Sequence, residues 1–309
     1  MVQVRRVLDG SALRLGYETS SDGEHWTRTS EWPLGYLSPF SPEWEAARAV
    51  EHGVADGGAA LPFEPLSFRD FMLFEGHYLG AARGYVDRFR PAVAHLGRAY
   101  ERFSRRTFPP FQPPVLWDRE PIYYMSNART FVPSGTPVPF PSYSTALDWE
   151  LELGFVLKAP LRNASAAEAE AAIGAFVVLN DFSARDVQIP EQDSGFGPQK
   201  AKHFMSSLSS TAVTAADVLD RWTRLQATVR LNGVIVAKPD PTAPRWSLGE
   251  VLAHASDSEQ LLPGELFGTG TLVGGSGMEI GRWLAPGDHL HLEIDGIGSI
   301  AHDILPTAR

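Results

Sequence analysis

The chain has 309 residues, 43% of them hydrophobic and 21% charged, and a formal net charge of −10 at pH 7. These proportions are ordinary for a globular protein and allow one large domain, or one large domain and one small. The negative charge argues against nucleic acid and against an anionic membrane as a partner. The absence of cysteine excludes disulfides, thiolate nucleophiles and thiolate-ligated zinc.

The N-terminal third of the chain begins with predicted strands. Residues 1–36 alternate apolar and polar side chains around Asp-Gly turn signals. The glycine-, alanine- and proline-rich segment 56–65 is the clearest domain boundary. We therefore predict a small β-rich N-terminal domain over residues 1–62 and a larger domain over residues 63–309.

Two helical segments are predicted before residue 100. Ser41 precedes Pro42 and an acidic first turn, which is typical of a helix N-terminus and predicts a helix to about Gly53. Residues 69–100 have helical spacing of apolar side chains, interrupted by glycines and by Pro91.

The remainder is mostly β structure. Capping boxes predict helices after Ser165 and Ser247, an Asn-Gly pair at residues 232–233 predicts a hairpin, and residues 175–179 form an apolar run typical of a buried strand. Residues 262–304 are β structure interrupted by glycines. The order is not a βαβ alternation, so we predict an α+β, mainly β fold rather than a nucleotide-binding Rossmann fold.

No segment predicts export or membrane insertion. The start of the chain lacks the continuous apolar run of a signal peptide. The longest apolar run, residues 171–179, is far shorter than the roughly 20 residues that span a bilayer. We therefore expect a cytoplasmic protein with no membrane partner.

The most informative pattern is a row of acids. In a β-strand, Asp148, Glu150 and Glu152 share one face and the intervening bulky apolar residues bury the other. Asp181 follows a predicted strand, and Asp70 belongs to a distant segment. Carboxylates crowded together repel unless a cation lies between them, and donors that are all oxygen favour Mg²⁺, Ca²⁺ or Mn²⁺. Alternating acids are also typical of the solvent-facing side of a half-exposed sheet, so the pattern alone leaves both interpretations open.

Three blocks in a fixed order resemble the fumarylacetoacetate hydrolase family. They are residues 68–71 followed by His77, residues 147–152, and residues 180–186 continuing to Gln188, Gly197-Pro198 and Lys202. The resemblance covers about residues 66–305. It implies a mixed β-roll catalytic domain of the fumarylacetoacetate hydrolase type over residues 63–309.

The resemblance also implies roles for individual residues. The implied metal ligands are Asp70, Glu150, Glu152 and Asp181. The implied catalytic residues are His77 as general base, Glu279 as the carboxylate that orients it, and Lys202 as a fixed positive charge. The implied substrate-binding residues are Tyr124, Gln188 and Thr271. If residues 69–100 are helical, Asp70 and His77 lie seven residues apart on one helix face. For Arg185 we expect a structural ion pair with a nearby acid.

The implied reaction is hydrolysis of a carbon–carbon bond in a β-diketone or acylpyruvate-like substrate. In it, histidine-activated water attacks a carbonyl chelated by a divalent cation, with Mg²⁺ the first choice and Ca²⁺ or Mn²⁺ as alternatives. A second hypothesis keeps the fold and makes the protein a 2-oxo acid decarboxylase, hydratase or isomerase. A third is a non-catalytic binding protein. The expected partners are a small dicarbonyl molecule and, by resemblance, a second copy in a homodimer.

Overall fold

The computed structural model describes residues 1–30, 32 and 38–307. Strand accounts for 32% and helix for 28%, which confirms an α+β fold in which strand exceeds helix. The α-helices of this part of the chain are α1 (Pro42–Glu51), α2 (Glu75–Phe89), α3 (Pro91–Ser104), α4 (Ala166–Ala171), α5 (Arg185–Asp193), α6 (Leu248–Ser256) and α7 (Gly277–Ile280). Among them, none combines the length and the apolar content that crossing a bilayer requires.

The strands form one large sheet and two smaller ones. In chain order they are β1 (Gln3–Asp9), β2 (Arg14–Ser20), β3 (Thr27–Thr29), β4 (Phe68–Phe71), β5 (Tyr123–Ser126), β6 (Phe131–Pro133), β7 (Val138–Pro139), β8 (Leu147–Asp148), β9 (Glu150–Leu157), β10 (Ile173–Asn180), β11 (Ser183–Ala184), β12 (Ser206–Leu208), β13 (Thr211–Thr214), β14 (Ala227–Leu231), β15 (Val234–Ala237), β16 (Leu266–Ser276), β17 (His289–Ile294) and β18 (Gly298–Leu305). The large sheet has the order β3-β2-β1-β13-β10-β9-β16-β4-β5, with β12 joining β10 to β6. A second sheet has the order β15-β14-β17-β18-β7, and β8 pairs with β11.

Strand β9 is buried on both faces at the centre of the large sheet. Leu151 and Phe155 pack into the largest hydrophobic cluster, whereas Val156 packs into a second cluster on the opposite face. Because side chains alternate along a strand, Glu150 and Glu152 lie on the same face as Val156. Both glutamates are buried. The solvent-facing alternative for the acidic row is therefore wrong.

The N-terminal strands continue the large sheet. Strand β1 pairs antiparallel with β13 and with β2. Val4, Leu61 and Phe63 pack in the same cluster as Val156 of β9. The sheet and this cluster thus extend across residue 62, and the division into two domains at that point stays a prediction.

Most local predictions from capping and turn signals are confirmed. Ser41 caps α1, and Ser165 and Ser247 begin α4 and α6 with complete capping boxes. The Asn-Gly pair at residues 232–233 connects β14 to β15. Of the strands predicted over residues 1–36, the part at residues 31 and 33–36 lies outside the described residues.

The helix predicted to begin at residue 69 is wrong at its start. Residues Phe68–Phe71 form β4, which pairs in parallel with β16 and antiparallel with β5. Helix α2 begins only at Glu75. The reason is non-local, because two neighbouring strands satisfy the backbone of β4 and this pairing outweighs local helical spacing.

Candidate metal centre and active site

Three carboxylates from three segments meet inside the large sheet. Asp70 lies in β4, Glu152 in β9, and Asp181 directly follows β10. One carboxylate oxygen from each lies within 4.8 Å of the others, and all three side chains are buried. The sheet order places β10 beside β9 and puts only β16 between β9 and β4. We call Asp70, Glu152 and Asp181 the carboxylate triad.

A glycine makes room for the triad. Gly268 of β16 is paired with Asp70 on one side and with Gly154 on the other. A Cβ at residue 268 would lie 2.6 Å from Oδ1 of Asp70 and 2.7 Å from Oε2 of Glu152. The space between the two carboxylates therefore exists because residue 268 has no side chain. Gly268 is not among the predicted site residues, although a glycine within a predicted strand often marks such a close approach.

The triad is electrostatically strained without a cation. Burial raises the pKa of Asp70 well above its ordinary value, and the nearby charge of Asp181 raises it further. Burial likewise raises the pKa of Glu152 well above its ordinary value, with the charge of Asp70 adding to the effect. Within the described chain, Oδ1 of Asp70 and Oε2 of Glu152 have no hydrogen-bond partner. Buried polar atoms of this kind are costly unless something binds them.

A hard divalent cation fits these residues. The donors are all carboxylate oxygens, which suit Mg²⁺, Ca²⁺ or Mn²⁺. Two of the oxygens are buried without a partner, and the missing side chain of Gly268 leaves space beside both. The triad therefore has the donor chemistry and the spacing of a metal site.

Glu150 lies beside the triad but is held by two cations. Nη2 of Arg185 lies 2.7 Å from Oε1 of Glu150, and Nζ of Lys202 contacts Oε2. Lys202 also lies 2.7 Å from Oδ2 of Asp181. Burial alone would raise the pKa of Glu150, but the charges of Arg185 and Lys202 outweigh burial and hold this pKa below its ordinary value. The role of Glu150 as a fourth ligand stays a prediction.

His77 is placed next to this charged network by α2. Its Nδ1 lies 2.9 Å from Oε2 of Glu279, and its Nε2 lies 3.8 Å from Oε1 of Glu150. The Nδ1 contact is out of line for a hydrogen bond, as such contacts often are before a substrate binds. The expectation that Asp70 and His77 share one helix face is wrong, because Asp70 lies on β4. The two residues approach the site from different elements.

Glu279 is fixed by its own short helix. It occupies the third position of α7, where its side chain accepts hydrogen bonds from the backbone N–H and the hydroxyl of Ser276. The other carboxylate oxygen accepts the backbone N–H of Gly274. These bonds leave Glu279 few alternative positions, so the imidazole of His77 has a fixed neighbour.

Asp148 connects α7 to the charged network. It is fully buried and accepts backbone N–H bonds of 2.8 Å from Gly277 and 3.1 Å from Met278. Its Oδ2 also accepts a hydrogen bond of 2.8 Å from Nε of Arg185. Arg185 thus has the ion pair with a local acid that the sequence predicted, and it joins Asp148 to Glu150. The anchoring of α7 by Asp148 is not among the predicted roles, although the place of Asp148 in the acidic row was a signal.

The three residues expected to bind substrate lie around the same network. The hydroxyl of Tyr124 donates to Asp181, and burial raises the pKa of Tyr124 well above its ordinary value. Thr271 Oγ1 lies 3.4 Å from Oε1 of Glu152. Gln188 accepts a hydrogen bond of 2.9 Å from Nη1 of Arg185. Their role toward a substrate stays a prediction.

Two adjoining cavities give access to these groups. The first, of about 230 Å³, is lined by the charged residues Asp70, Glu152 and Lys202 and by apolar residues that include Phe71 and Ile122, and we call it the metal cavity. The second, of about 280 Å³, begins at His77 and is mostly apolar, and we call it the apolar cavity. Glu150 and Gln188 line both cavities, so the two meet there. Glu279 lines neither one, which suits a residue that orients His77 rather than one that touches a ligand.

The fold and the site together define a class of enzyme, in which a β-rich scaffold holds a buried carboxylate triad beside a histidine. The sequence model described as "Fumarylacetoacetate (FAA) hydrolase C-terminal" matches residues 92–305. The chain therefore belongs to the fumarylacetoacetate hydrolase family, as its three sequence blocks predicted. Asp70 and His77 precede the matched residues.

Named relatives are mainly tautomerases and isomerases. The chain is 29% identical to the mitochondrial oxaloacetate tautomerase fahd2 of Xenopus laevis, over 60% of this chain and 59% of that protein. It is 26% identical to the human mitochondrial oxaloacetate tautomerase FAHD1, over 50% of this chain and 70% of that protein. The chain thus spans about three fifths of the length of the Xenopus relative. A solved structure from Mycobacterium marinum, titled 2-hydroxyhepta-2,4-diene-1,7-dioate isomerase, has a TM-score of 0.67, 17% identity and full coverage of both chains. At 17% identity, the similarity between the two structures shows that they share a fold.

Proposed function

We propose that this chain is a divalent-metal-dependent tautomerase or isomerase of a 2-oxo acid. The observation that carries the proposal is a buried histidine, 2.9 Å from Glu279, that lines a cavity meeting the one lined by Asp70 and Glu152. One base beside a site for a hard cation suits proton transfer at a carbon next to a carbonyl. The names of the two sequence relatives support the same chemistry, since both are oxaloacetate tautomerases. Hydrolysis, our first expectation from the sequence, has weaker support from these names.

The residues of the chain supply the proton chemistry. A divalent cation on the triad would polarise the carbonyl of a bound 2-oxo acid and stabilise negative charge on its oxygen. His77 takes a proton from the adjacent carbon, and the charge of Glu279 stabilises the resulting imidazolium. His77 then returns the proton to the oxygen or to another carbon, so that no atom is gained or lost.

Two neighbours keep fixed protonation states during this transfer. Burial would lower the pKa of Lys202, but the charges of Asp181 and Glu150 outweigh it and raise this pKa, so Lys202 stays a cation. The raised pKa of Tyr124 keeps its hydroxyl neutral and able to donate a hydrogen bond. Both line the metal cavity and suit contact with a substrate oxygen.

Hydrolysis of a carbon–carbon bond remains a second candidate. It is favoured by the pairing of His77 with Glu279, because an imidazole held by a carboxylate can equally take a proton from water. The hydroxide formed in this way would attack a carbonyl of an acylpyruvate-like dicarbonyl.

Proton NMR in D₂O separates these reactions. The protein with Mg²⁺ is mixed with oxaloacetate, with phenylpyruvate and with an acylpyruvate. A tautomerase or isomerase accelerates deuterium entry beside the carbonyl, or double-bond migration, without breaking the carbon skeleton. Release of pyruvate and a second acid identifies a hydrolase instead, and loss of CO₂ identifies a decarboxylase. If Mg²⁺, Ca²⁺ and Mn²⁺ all fail to accelerate any of these conversions, the proposal is wrong.

We also propose Mg²⁺ as the resident ion and, from the family resemblance, a homodimer. Light scattering tests the assembly, because a dimer has twice the 33.8 kDa mass of the single chain. A mass equal to that of one chain would contradict it.

A further inference from the structure

We infer that the substrate carries an apolar, uncharged group beyond its 2-oxo acid end. Preferred substrates would then be 2-oxo acids with an alkyl or aryl tail rather than a second carboxylate. This inference rests on the proposed function, because it places the 2-oxo acid end in the metal cavity. The tail would then occupy the apolar cavity.

The apolar cavity extends along one face of α2, starting at the imidazole. His77, Ala81 and Tyr85 follow one another at four-residue intervals, and Ala82 and Val86 continue the adjacent row. Residues four apart on a helix lie one above the other on the same face. From His77 to Val86 the helix rises by about 13 Å, at roughly 1.5 Å for each residue. A group attached near the reacting carbon would therefore lie along this face.

Apolar side chains from other elements line the rest of the cavity. Ile189 of α5, Val93 of α3 and Met278 of α7 line it, together with Phe111 from the loop after α3. Its volume of about 280 Å³ exceeds the roughly 150 Å³ that suffices to bind benzene in an apolar protein cavity. A phenyl ring or a short alkyl chain therefore has both the room and the chemical surroundings that it needs.

The cavity offers no free cation for a second carboxylate. Arg185 is the only cationic residue among the described residues that line it, and its guanidinium already contacts Asp148, Glu150 and Gln188. Arg83 is on α2 as well, but it pairs with Glu101 outside the cavity. A carboxylate placed among apolar side chains would lose its hydration without a compensating charge. It would also enter past Glu150, which carries the same sign of charge.

Two non-reacting probes test the tail alone. N-benzyl oxamate and N-oxalylglycine share one oxamate head, and they differ only in a phenyl ring against a carboxylate. Calorimetry on the Mg²⁺-loaded protein should show N-benzyl oxamate binding at least tenfold more tightly. Equal binding, or tighter binding of N-oxalylglycine, would overturn the inference.

A charge swap in the cavity provides an independent check. Val86→Arg should weaken N-benzyl oxamate and tighten N-oxalylglycine, so that the ratio of the two dissociation constants shifts by at least tenfold. The matched control Val86→Met is also long but neutral, and it should keep the wild-type preference. If Val86→Arg folds and leaves the preference unchanged, the tail lies elsewhere. If Val86→Arg does not fold, the affinities of the two oxamates for the wild-type protein still test the inference.

Binding of the two probes and turnover of 2-oxo acids together distinguish failure of the proposed reaction from failure of the apolar subsite. If both oxamates bind with the expected preference but no 2-oxo acid is converted, the proposed reaction fails while the apolar subsite stands. If oxaloacetate is converted with a higher kcat/KM than phenylpyruvate, the reaction stands and the apolar subsite is wrong.

Discussion

His77 is the only histidine among the described residues that line the two cavities. Its ring contacts Glu279 and Glu150, and His77 does not belong to the carboxylate triad. We therefore expect His77→Asn to lower kcat by about 10²–10⁴-fold, the usual contribution of a general acid–base group. The dissociation constant of Mg²⁺ should stay unchanged. Steady-state kinetics and calorimetric titration of the metal measure the two quantities.

A histidine elsewhere provides the control for this substitution. His291 lies on β17 in the second sheet and lines none of the site cavities. His291→Asn should therefore leave kcat unchanged. Normal turnover by His77→Asn, with the fold intact, would remove His77 from the mechanism.

At the scale of elements, β16 separates β4 from β9 and so sets the distance between Asp70 and Glu152. In Gly268→Ala, the new methyl group would meet oxygens of both Asp70 and Glu152 at less than 3 Å. We expect Mg²⁺ binding to weaken by at least tenfold while the sheet survives, because only the carboxylates need to move. Metal titration with circular dichroism measures both effects.

The same sheet offers a glycine without close neighbours. A Cβ at Gly16 of β2 would meet nothing nearer than 3.9 Å. Gly16→Ala should therefore leave Mg²⁺ affinity at the wild-type value. Wild-type affinity in Gly268→Ala as well would mean that the metal does not bind between Asp70 and Glu152.

Asp148 holds the start of helix α7 through two hydrogen bonds from the helix backbone. In Asp148→Asn the charge that faces Arg185 disappears, and the bonds to the backbone of Gly277 and Met278 weaken. Breaking a buried pair from one side costs about 3–5 kcal/mol, which we expect as a lower free energy of unfolding in urea. The pH profile of kcat should also shift, because α7 carries Glu279, whose carboxylate lies 2.9 Å from Nδ1 of His77.

An exposed ion pair shows what the loss of a charge costs at the surface. Asp118 lies 3.6 Å from Arg245, and both side chains are largely exposed. Asp118→Asn should change the free energy of unfolding by less than about 1 kcal/mol. If Asp148→Asn is equally mild, Asp148 does not anchor α7.

At the scale of the whole molecule, the sequence predicted local features better than the assembly of the site. The acids Glu150 and Glu152 of β9, the capping boxes and the hairpin at residues 232–233 follow from the chain itself, because period-two alternation, caps and turns involve neighbouring residues. Asp148 was predicted on the same strand but ends β8, which pairs with β11. The grouping of Asp70 with Glu152 depends on β4 and β9 both lying beside β16. Such pairing is set by tertiary packing, and for the same reason the helical spacing around residue 69 misled the prediction.

The triad also connects metal binding to the stability of the whole chain. The carboxyl groups of Asp70 and Glu152 have raised pKa values in the folded state. They hold protons more tightly when folded than when unfolded. Without metal, the free energy of unfolding therefore falls as pH rises above the ordinary carboxyl range of about 4. A bound cation replaces the protons and removes much of that loss.

We therefore expect Mg²⁺ to stabilise the protein more at pH 8 than at pH 5, where protons compete for the same oxygens. At about 100 times its dissociation constant, the ion should add about 2.7 kcal/mol to the free energy of unfolding. Urea titrations with Mg²⁺ or with a chelator measure this gain at both pH values. Glu152→Gln should abolish the gain and weaken the pH dependence of the metal-free protein, leaving the part that Asp70 contributes, whereas the exposed control Glu120→Gln should keep both at the wild-type value. A gain of equal size in Glu152→Gln and in the wild type would place the cation away from the triad.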